Sequence, residues 1–542
     1  MISSIFRKVA KFLWLLPGFL LWASFPPMGE KIDCLFALAP LLWFARRRGV
    51  RANARVWFAN GFFFWFATLA WMPAIVKNGG PWPLVVLGWG ALSAYCALYF
   101  AAFRCLASRY WTWVRGDPLG TAAEGPKGYG WRLLGLLVVE PVLWAGLEVV
   151  RSRLFGGFSW NQVGVAPVNG GFGAPAVLGG VYLVSAIVVL ANGTIASMAE
   201  RMFDRAQSGV MRYVRSVETF IPVLAIWFVY SLAARFAYAP SAGEPGVRPP
   251  LRAALVQRNF PCVFERQSRA DEDPLDAYGR LLAAAGYVRP SLVVLPESAL
   301  CEFGPIGTSV AARFADYVRR ETGAVAVIAG GGRYEDGREY NSAALYSVDG
   351  TMQVYDKVHL VPFGEYIPGD KLITALQKLA PVGSCTAGEL KTLTLPGGTK
   401  AGVAICYEDT DSAQMRRLAE MGADVLVFVT NDSWFLRSEE AVQHSWQAVA
   451  RAIETGLPVL RVGNSGVTGT VLADGKASWL SGPDGRPLVD SAASMCDEVV
   501  PGRASPTPYV RFGDKPLLFA FAAVLALVAW TFRRRQPLQT VL

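Results

Sequence analysis

Three stretches of this sequence end an apolar run on a side chain that can do chemistry. Ser291-Leu-Val-Val-Leu-Pro-Glu297-Ser298 closes on a carboxylate, and Gly402-Val-Ala-Ile-Cys406-Tyr407-Glu408-Asp409 closes on a thiol followed by acids. Between them, Tyr355-Asp356-Lys357-Val-His359-Leu-Val-Pro362-Phe-Gly-Glu365-Tyr-Ile-Pro368 gathers acids, a lysine, a histidine and aromatics. Short apolar runs bounded by turn residues read as buried strands, and ligands of open α/β folds sit at strand ends. Together the three supply the parts for acyl transfer through a thioester. A cysteine attacks as thiolate, so it needs a base or a nearby cation. Glu297 can take the thiol proton and later return it to a leaving group, or deprotonate an incoming amine. Lys357 can stabilise both the thiolate and the oxyanion of a tetrahedral intermediate. Each stretch also has a plainer reading: Glu297-Ser298 as a solvated helix N-terminus, Asp356–Lys357 as a surface ion pair of little energetic weight, Cys406 as an inert buried hydrophobe. No histidine is required. The chain has only His359 and His444, both expected to hydrogen-bond structurally, and so few argue against a multi-histidine metal site. His359 would share the face of Lys357 if that stretch is extended.

The elements that must position these groups alternate. Apolar, β-rich runs recur at Leu251–Gln257, Ser291–Pro296, Ala324–Ala329, Gly402–Cys406, Asp424–Thr430 and Pro458–Val462. Helical patterns lie between several of them, at Leu275–Tyr287, Val310–Thr322, Ala413–Met421 and Glu439–Thr455, and Gly323, Gly422 and Gly456 stand where C-caps belong. Fully apolar strands alternating with helices predict an α/β sheet covered on both faces. The region 245–510 is large enough to bury its own core, and Tyr238 to Pro250 is its Pro/Gly-containing linker. No internal repeat or low-complexity segment is evident.

The rest of the chain is built for lipid. Hydrophobic residues make up 53% and charged residues 17% of the sequence, against about 25% charged in soluble domains. Eight apolar runs are candidate spans, at about 12–27, 32–46, 56–76, 84–106, 132–150, 176–198, 217–237 and 516–532. Glu140 and Glu148 fall inside the fifth and must face the protein interior or an interface. With the N-terminus in the cytoplasm, the loops after spans two, four and six (Arg46–Arg55, Arg109–Arg132, Arg201–Arg215) and the tail at Arg533-Arg534-Arg535 are all basic and cytoplasmic, as the positive-inside rule requires. Arg151 and Arg153 after span five dissent. This layout gives a membrane domain of seven helices over 1–240, an outer catalytic domain over 245–510, a last span over 514–534 and a cytoplasmic tail over 535–542. The net charge of +10 and pI near 9.2 allow a nucleic-acid partner in principle, but the basic residues gather beside apolar spans instead. Eight cysteines form no CxxC pair; five (Cys262, Cys301, Cys385, Cys406, Cys496) fall in the outer region, so an oxidising compartment leaves at least one unpaired.

At this point the residues resemble a known family. Glu297 after Leu-Pro, Lys357 in Tyr-Asp-Lys and Cys406 in Cys-Tyr-Glu resemble the Glu-Lys-Cys triad of the nitrilase (carbon-nitrogen hydrolase) superfamily. The string Lys357 to Pro368 is similar to the membrane branch, the apolipoprotein N-acyltransferases, as are Asn431-Asp432-Ser433-Trp434-Phe435, Gln443-His444, Arg451–Gly456, Arg461–Gly466, Leu147–Trp160 and Gly179–Tyr182. The resemblance implies an αββα sandwich beside a membrane bundle of about eight spans. It implies transfer of a fatty acyl chain from a membrane phospholipid to the N-terminal amine of diacylglyceryl-cysteine on an apolipoprotein, by a ping-pong thioester route. Glu297 is then base, Lys357 the oxyanion and thiolate stabiliser, and Cys406 the nucleophile. Glu365 matches a further essential carboxylate, Tyr407 and Glu408 match residues flanking the nucleophile, and Asn341 and Trp434 match positions loosely near the pocket. One stretch departs: the family usually has Gln-Gly-Asn-Ile-Pro-Gln and then Lys-Trp, where this chain has Gln257-Arg258-Asn259-Phe260-Pro261-Cys262 and then Glu265-Arg266. Phe264 is the aromatic expected to replace that tryptophan at the substrate entrance. The expected setting is a monomer in a bacterial inner membrane, catalytic domain in the periplasm and both termini cytoplasmic, with no cofactor, metal or nucleic acid. A membrane-tethered amidase or nitrilase shares the triad. A transport or scaffold protein with an inert domain would have no need of base, cation and thiol at three strand ends.

Overall fold

A computed structural model describes residues 14–45, 50–115, 126–203, 209–236, 244, 246–260, 273–367, 384–503 and 505–533. Phe264, Cys262, Glu265, Arg266 and the tail after Arg533 lie outside the described residues. Contacts divide the chain into two units, one containing Gly88–Arg235 and the flanking segments up to Ala70 and from Phe512, the other Trp71–Leu87 and Phe236–Arg511. Trp71–Leu87, which takes in the end of the third expected span, the stretch after it and the start of the fourth, therefore groups with the second unit.

That second unit is a two-sheet sandwich. Among the described residues its twelve strands are β1 (Leu251–Gln257), β2 (Leu292–Val294), β3 (Ala326–Glu335), β4 (Arg338–Ser347), β5 (Met352–Asp356), β6 (Thr392–Thr394), β7 (Lys400–Ile405), β8 (Val425–Thr430), β9 (Val459–Gly463), β10 (Gly469–Val471), β11 (Ala477–Trp479) and β12 (Ala493–Val499). One sheet runs β12-β1-β2-β3-β4-β5 and the other β11-β10-β9-β8-β7-β6. Each has a parallel centre, β1-β2-β3 and β7-β8-β9, flanked by antiparallel strands. Leu255, Val294, Ile328 and Leu345 of the first sheet meet Val403, Ile405, Val427 and Leu460 of the second in one core. The opposite face of the first sheet packs Val293, Val327 and Ala344 against Leu282, Phe314 and Val318 of helices Pro274–Gly286 and Ser309–Thr322. Helices Ser412–Glu420 and Glu440–Thr455 go with the second sheet, so β2, β7, β8 and β9 are buried throughout or nearly so. This is the covered α/β arrangement that the sequence pattern predicts. Caps set the helix limits: Asp273, Thr308 and Asp411 side chains accept the N–H groups of Leu275, Ala311 and Ala413, and Gly323 and Gly456 take the left-handed conformation at C-caps.

Among the described residues, four helices are long and apolar enough to cross a membrane: Tyr129–Arg151 and Ala176–Glu200, and Asn53–Asn78 and Trp82–Val114, whose residues within 71–87 belong to the second unit. Cys34–Phe44, Thr219–Ala234 and Lys515–Thr531 are shorter apolar helices. In the third expected span, a regular α-helix stops at Thr68 and a tighter turn follows over Met72–Asn78, opened by Pro73. Glu140 and Glu148 are buried in protein, accepting from the indole N–H groups of Trp111 (2.7 Å) and Trp144 (3.1 Å), with the Val163 N–H also on Glu148 (2.9 Å). Arg151, the residue that dissented from the charge pattern, is buried as well and donates to the carbonyls of Phe158 and Trp160.

One close approach sets the position of the base. A Cβ on Gly330 of β3 would lie 2.3 Å from the Glu297 carbonyl oxygen and 2.4 Å from its Cα. Gly330→Ala should therefore push the Glu297 turn away, costing about 1–3 kcal/mol of stability. A lowered thermal unfolding midpoint together with lost activity is the expected result.

Candidate active site

Four side chains form one hydrogen-bonded chain at the ends of β2, β4 and β5. Glu297 follows β2 after Leu295-Pro296, Asn341 lies on β4, and Lys357 leaves β5. The Asn341 amide uses both hydrogens, one to Glu297 Oε1 and one to Glu365 Oε1, each at 2.7 Å. Lys357 Nζ donates to the same Glu365 oxygen at 2.9 Å. Glu365 Oε2 accepts the Val361 N–H at 2.8 Å, which folds the Val361–Tyr366 loop around the carboxylate. Lys357 is only 1% exposed. Asp356 does not pair with it: that carboxylate takes the Arg333 guanidinium through two bonds (2.9 and 2.6 Å) and the Ser342 hydroxyl (2.6 Å). The surface Asp356–Lys357 pair is thereby excluded, and Glu297 is half-buried with one carboxylate oxygen on Asn341.

Cys406 ends β7 and opens the turn Cys406–Thr410. Its φ of 53° is left-handed, a conformation non-glycine residues adopt at a cost. Glu408 holds that turn. Fully buried, it accepts the N–H groups of Ile405 (2.8 Å), Val358 (2.8 Å) and His359 (3.0 Å) and the Tyr355 hydroxyl (3.0 Å). One carboxylate thus ties the end of β7 to the backbone just after Lys357, fixing thiol and ammonium relative to each other.

Burial is the main cause of the electrostatics. It lifts the Glu297 carboxyl to about 7, aided by Glu365 and Asp432 and opposed by Lys357 and Asn341. The Cys406 thiol is pushed well above its usual value by burial and by the Glu297 carboxylate, against the pull of Lys357. Burial acts to lower Lys357, but Glu365, Cys406 and Glu297 outweigh it and hold the ammonium above its ordinary range. The arrangement has a permanent cation, a carboxyl poised near neutrality and a nucleophile that rests as a thiol. It can deprotonate the thiol as attack occurs and stabilise an oxyanion beside Lys357.

Other expected residues fall as follows. Tyr407 is half-buried and its ring meets that of His359 edge-on at 5.6 Å. His359 faces Asp411 (3.9 Å), because the chain turns after Lys357 and does not run extended. Asn341 is half-buried and bonds Glu297 directly. Trp434 is 36% exposed in the turn Asp432–Phe435, whose Ser433 and Trp434 carbonyls accept from Asn78 (3.2 and 2.7 Å), while Trp71 meets Phe435 edge-on at 4.6 Å. His444 is buried with Asp409, Asp432, Glu440 and Arg461, a group absent from the sequence reading. The available signal was Arg461, a charge inside the apolar run Pro458–Val462. Ligand atoms of Asp432, Glu440 and His444 lie within 4.8 Å of one another, but Arg461 donates to Asp432 and both His444 nitrogens face carboxylates. Protein cations already fill the place a metal would take.

Comparison with known proteins covers both units. The model of the carbon-nitrogen hydrolase family matches residues 252–495, and that of the apolipoprotein N-acyltransferase N-terminal domain matches residues 17–194. An apolipoprotein N-acyltransferase of Geobacter metallireducens is 30% identical over 96% of this chain and 95% of its own length. One from Sinorhizobium medicae is 28% identical over 96% and 94%. Among solved structures, an amidase from Nesterenkonia sp. is similar over 49% of this chain and 94% of that one, at 19% identity and a TM-score of 0.34.

Two outcomes test this geometry. Glu365→Gln leaves the buried Lys357 charge uncompensated and should cost about 3–5 kcal/mol; adding Lys357→Met should regain most of the lost thermal stability while the enzyme stays inactive. A double variant no more stable than the single one would refute the pairing. For pH, Glu297 is a base only when ionised, so single-turnover acylation of Cys406 should rise through a midpoint near 7 and fall about tenfold per pH unit below it. A midpoint near 4 to 5, about that of a solvated carboxyl, would show that burial does not govern this group.

Proposed function

The chain belongs to the apolipoprotein N-acyltransferase family and is an acyltransferase, and from that premise we propose that it works by a two-step exchange through a thioester on Cys406. Glu297 accepts the thiol proton as the sulfur attacks an ester carbonyl of a membrane phospholipid. The oxyanion forms beside the Lys357 ammonium. Collapse expels the lysophospholipid oxygen, which takes the proton back from Glu297, and leaves the acyl chain on sulfur. The N-terminal amine of a diacylglyceryl-cysteine then attacks the thioester, loses a proton to Glu297, and departs as amide while Cys406 recovers its proton. Glu365 and Asn341 hold Lys357 and Glu297 in place. Trp434 is the proposed substrate contact, with Phe264 at the entrance, and Tyr407 supports the turn beside the nucleophile. The observation that carries this reading is the Glu297–Asn341–Glu365–Lys357 hydrogen-bond chain, a base and a cation joined through one amide and one carboxylate.

In the same proposal the chain spans a bacterial inner membrane eight times. The basic loops are cytoplasmic and the catalytic unit works at the periplasmic side as a monomer, without nucleic acid or cofactor. Both substrates are lipid-anchored, so a membrane-bound catalyst meets them at high effective concentration.

Purified protein incubated with labelled phospholipid should acquire hydroxylamine-sensitive label, and Cys406→Ala should acquire none. Equal labelling of the two sinks the thioester. Addition of a diacylated lipopeptide should move the label to an N-acylated product; release of free fatty acid alone would favour a membrane-tethered hydrolase. In intact cells, an impermeant reagent that fails to reach the 245–510 region would refute the orientation.

A further inference from the structure

The mechanism leaves unused the most densely charged buried group in the catalytic unit. His444 Nε2 lies 2.9 Å from Asp409 Oδ1 and its Nδ1 lies 2.9 Å from Asp432 Oδ1. Burial acts to lower the His444 ring, but the Asp409 and Asp432 carboxylates outweigh it and lift the ring to about 10, so it is an imidazolium. Arg461 donates to Asp409 Oδ2 and, at 3.3 Å, to Asp432 Oδ2. Two cations thus face two carboxylates and the quartet is neutral. Glu440 beside it is held well above the usual carboxylate range by burial and by Asp432, so it adds no charge.

This quartet reaches the nucleophile from two sides. Asp409 belongs to the turn Cys406–Thr410. Asp432 Oδ1 accepts the hydroxyl of Thr430 at 2.7 Å. In the parallel pairing of β7 and β8, Ile405 is opposite Val429, so Cys406 and Thr430 come next, side by side, at the strand ends. The Thr430 hydroxyl is fully buried beside that strand end, and it acts to lower the Cys406 thiol against the larger effects of burial and Glu297. A hydroxyl has one hydrogen and lone pairs to spare. While it donates to Asp432 it can accept the thiol hydrogen; beside a thiolate it must turn and donate to sulfur. Asp432 can release it, because the His444 and Arg461 donors remain.

We propose that Thr430 is a further catalytic residue, its hydroxyl accepting the Cys406 S–H at rest and turning from Asp432 to the sulfur whenever the thiolate forms or leaves. His444 and Arg461 are positioning residues that keep Asp432 satisfied while it turns. Thr430 transfers no proton: the thiol proton goes to Glu297, and one O–H···O bond is exchanged for one O–H···S bond. This rests on Cys406 being the nucleophile.

The test compares Thr430→Val, which keeps the shape and removes the hydroxyl, with Thr430→Ser, which keeps the hydroxyl. Thr430→Val should label from phospholipid about tenfold more slowly, and alkylation of Cys406 by iodoacetamide should move about one pH unit higher. Glu297, Lys357 and Asp432, the charged groups facing the sulfur, are unchanged in both variants. Thr430→Ser should stay within about threefold of the parent in both measurements. A Thr430→Val protein indistinguishable from the parent overturns the proposal, and so does a loss that serine fails to restore, because the methyl group would then be what matters. If Thr430→Val does not fold, Thr430→Ala read by the same two measurements decides. His444→Gln should lower kcat with KM unchanged; a change in KM alone overturns its positioning role. Persistent label in Cys406→Ala would instead defeat the thioester reading itself, so the two failures are distinguishable.

Discussion

Lys357 places a full positive charge where water scarcely reaches, and much of the site is arranged to keep it there. Removing an ammonium from water costs several kcal/mol unless opposite charge and hydrogen bonds replace the solvent. Glu365 supplies the charge at 2.9 Å, and the loop that carries it folds back so that the Val361 N–H also bonds the carboxylate. Asn341 then ties the compensated pair to Glu297. Such a cation needs no reorganisation when an oxyanion appears beside it, which is the condition under which electrostatic stabilisation is largest. The same low-dielectric setting lifts Glu297 toward neutrality and keeps the Cys406 thiol protonated. One constraint, burial at these strand ends, therefore acts on the protonation of all three groups, while the Lys357 charge pulls Glu297 and Cys406 the other way.

Reading the sequence by periodicity found what is continuous and apolar. β1, β2, β3, β7, β8 and β9 and four covering helices lie where the runs of Leu, Val, Ile and Ala put them, because strands buried on both faces are mostly apolar. The remaining strands did not show. β4 opens Arg-Glu-Tyr-Asn, β12 carries Asp497 and Glu498, and β10 and β11 are three residues each. Edge and half-covered strands of that kind look like loops until their partner is known. Lys357 and Glu365 were singled out from an unusual loop, yet Glu365 is what Lys357 bonds, and residue types alone do not give that pairing. The role of Glu408 was equally hidden. Its four partners come from β5, β7 and the backbone after Lys357, and only the register of two sheets brings them to one carboxylate.

Charged residues inside apolar sequence divide into two kinds here. Glu140, Glu148 and Arg151 in the membrane helices are each answered locally, by indole N–H groups, a backbone N–H or backbone carbonyls. Asp409, Asp432, His444 and Arg461 answer one another across β9, the helix Glu440–Thr455 and two strand-end turns. Packing leaves them little room. A Cβ on Gly466, whose φ is +117°, would meet Asp432 Oδ2 at 2.2 Å. Removing any one of the four would strand its partner, the expensive kind of loss for buried charge, so the network makes the geometry around the nucleophile hard to vary.

A Cys406 that rests as thiol suits the acyl transfer proposed above. A standing thiolate would be open to oxidation and alkylation at all times, whereas a thiol activated by Glu297 becomes reactive only when a carbonyl is in place to receive it. The cost is that the proton must leave at the moment of attack, so base, cation and sulfur have to hold their positions without help from solvent. Glu408 meets that requirement. By bonding Ile405 on one side and Val358 and His359 on the other, it makes the spacing of Cys406 and Lys357 a property of the sandwich core, independent of either side chain.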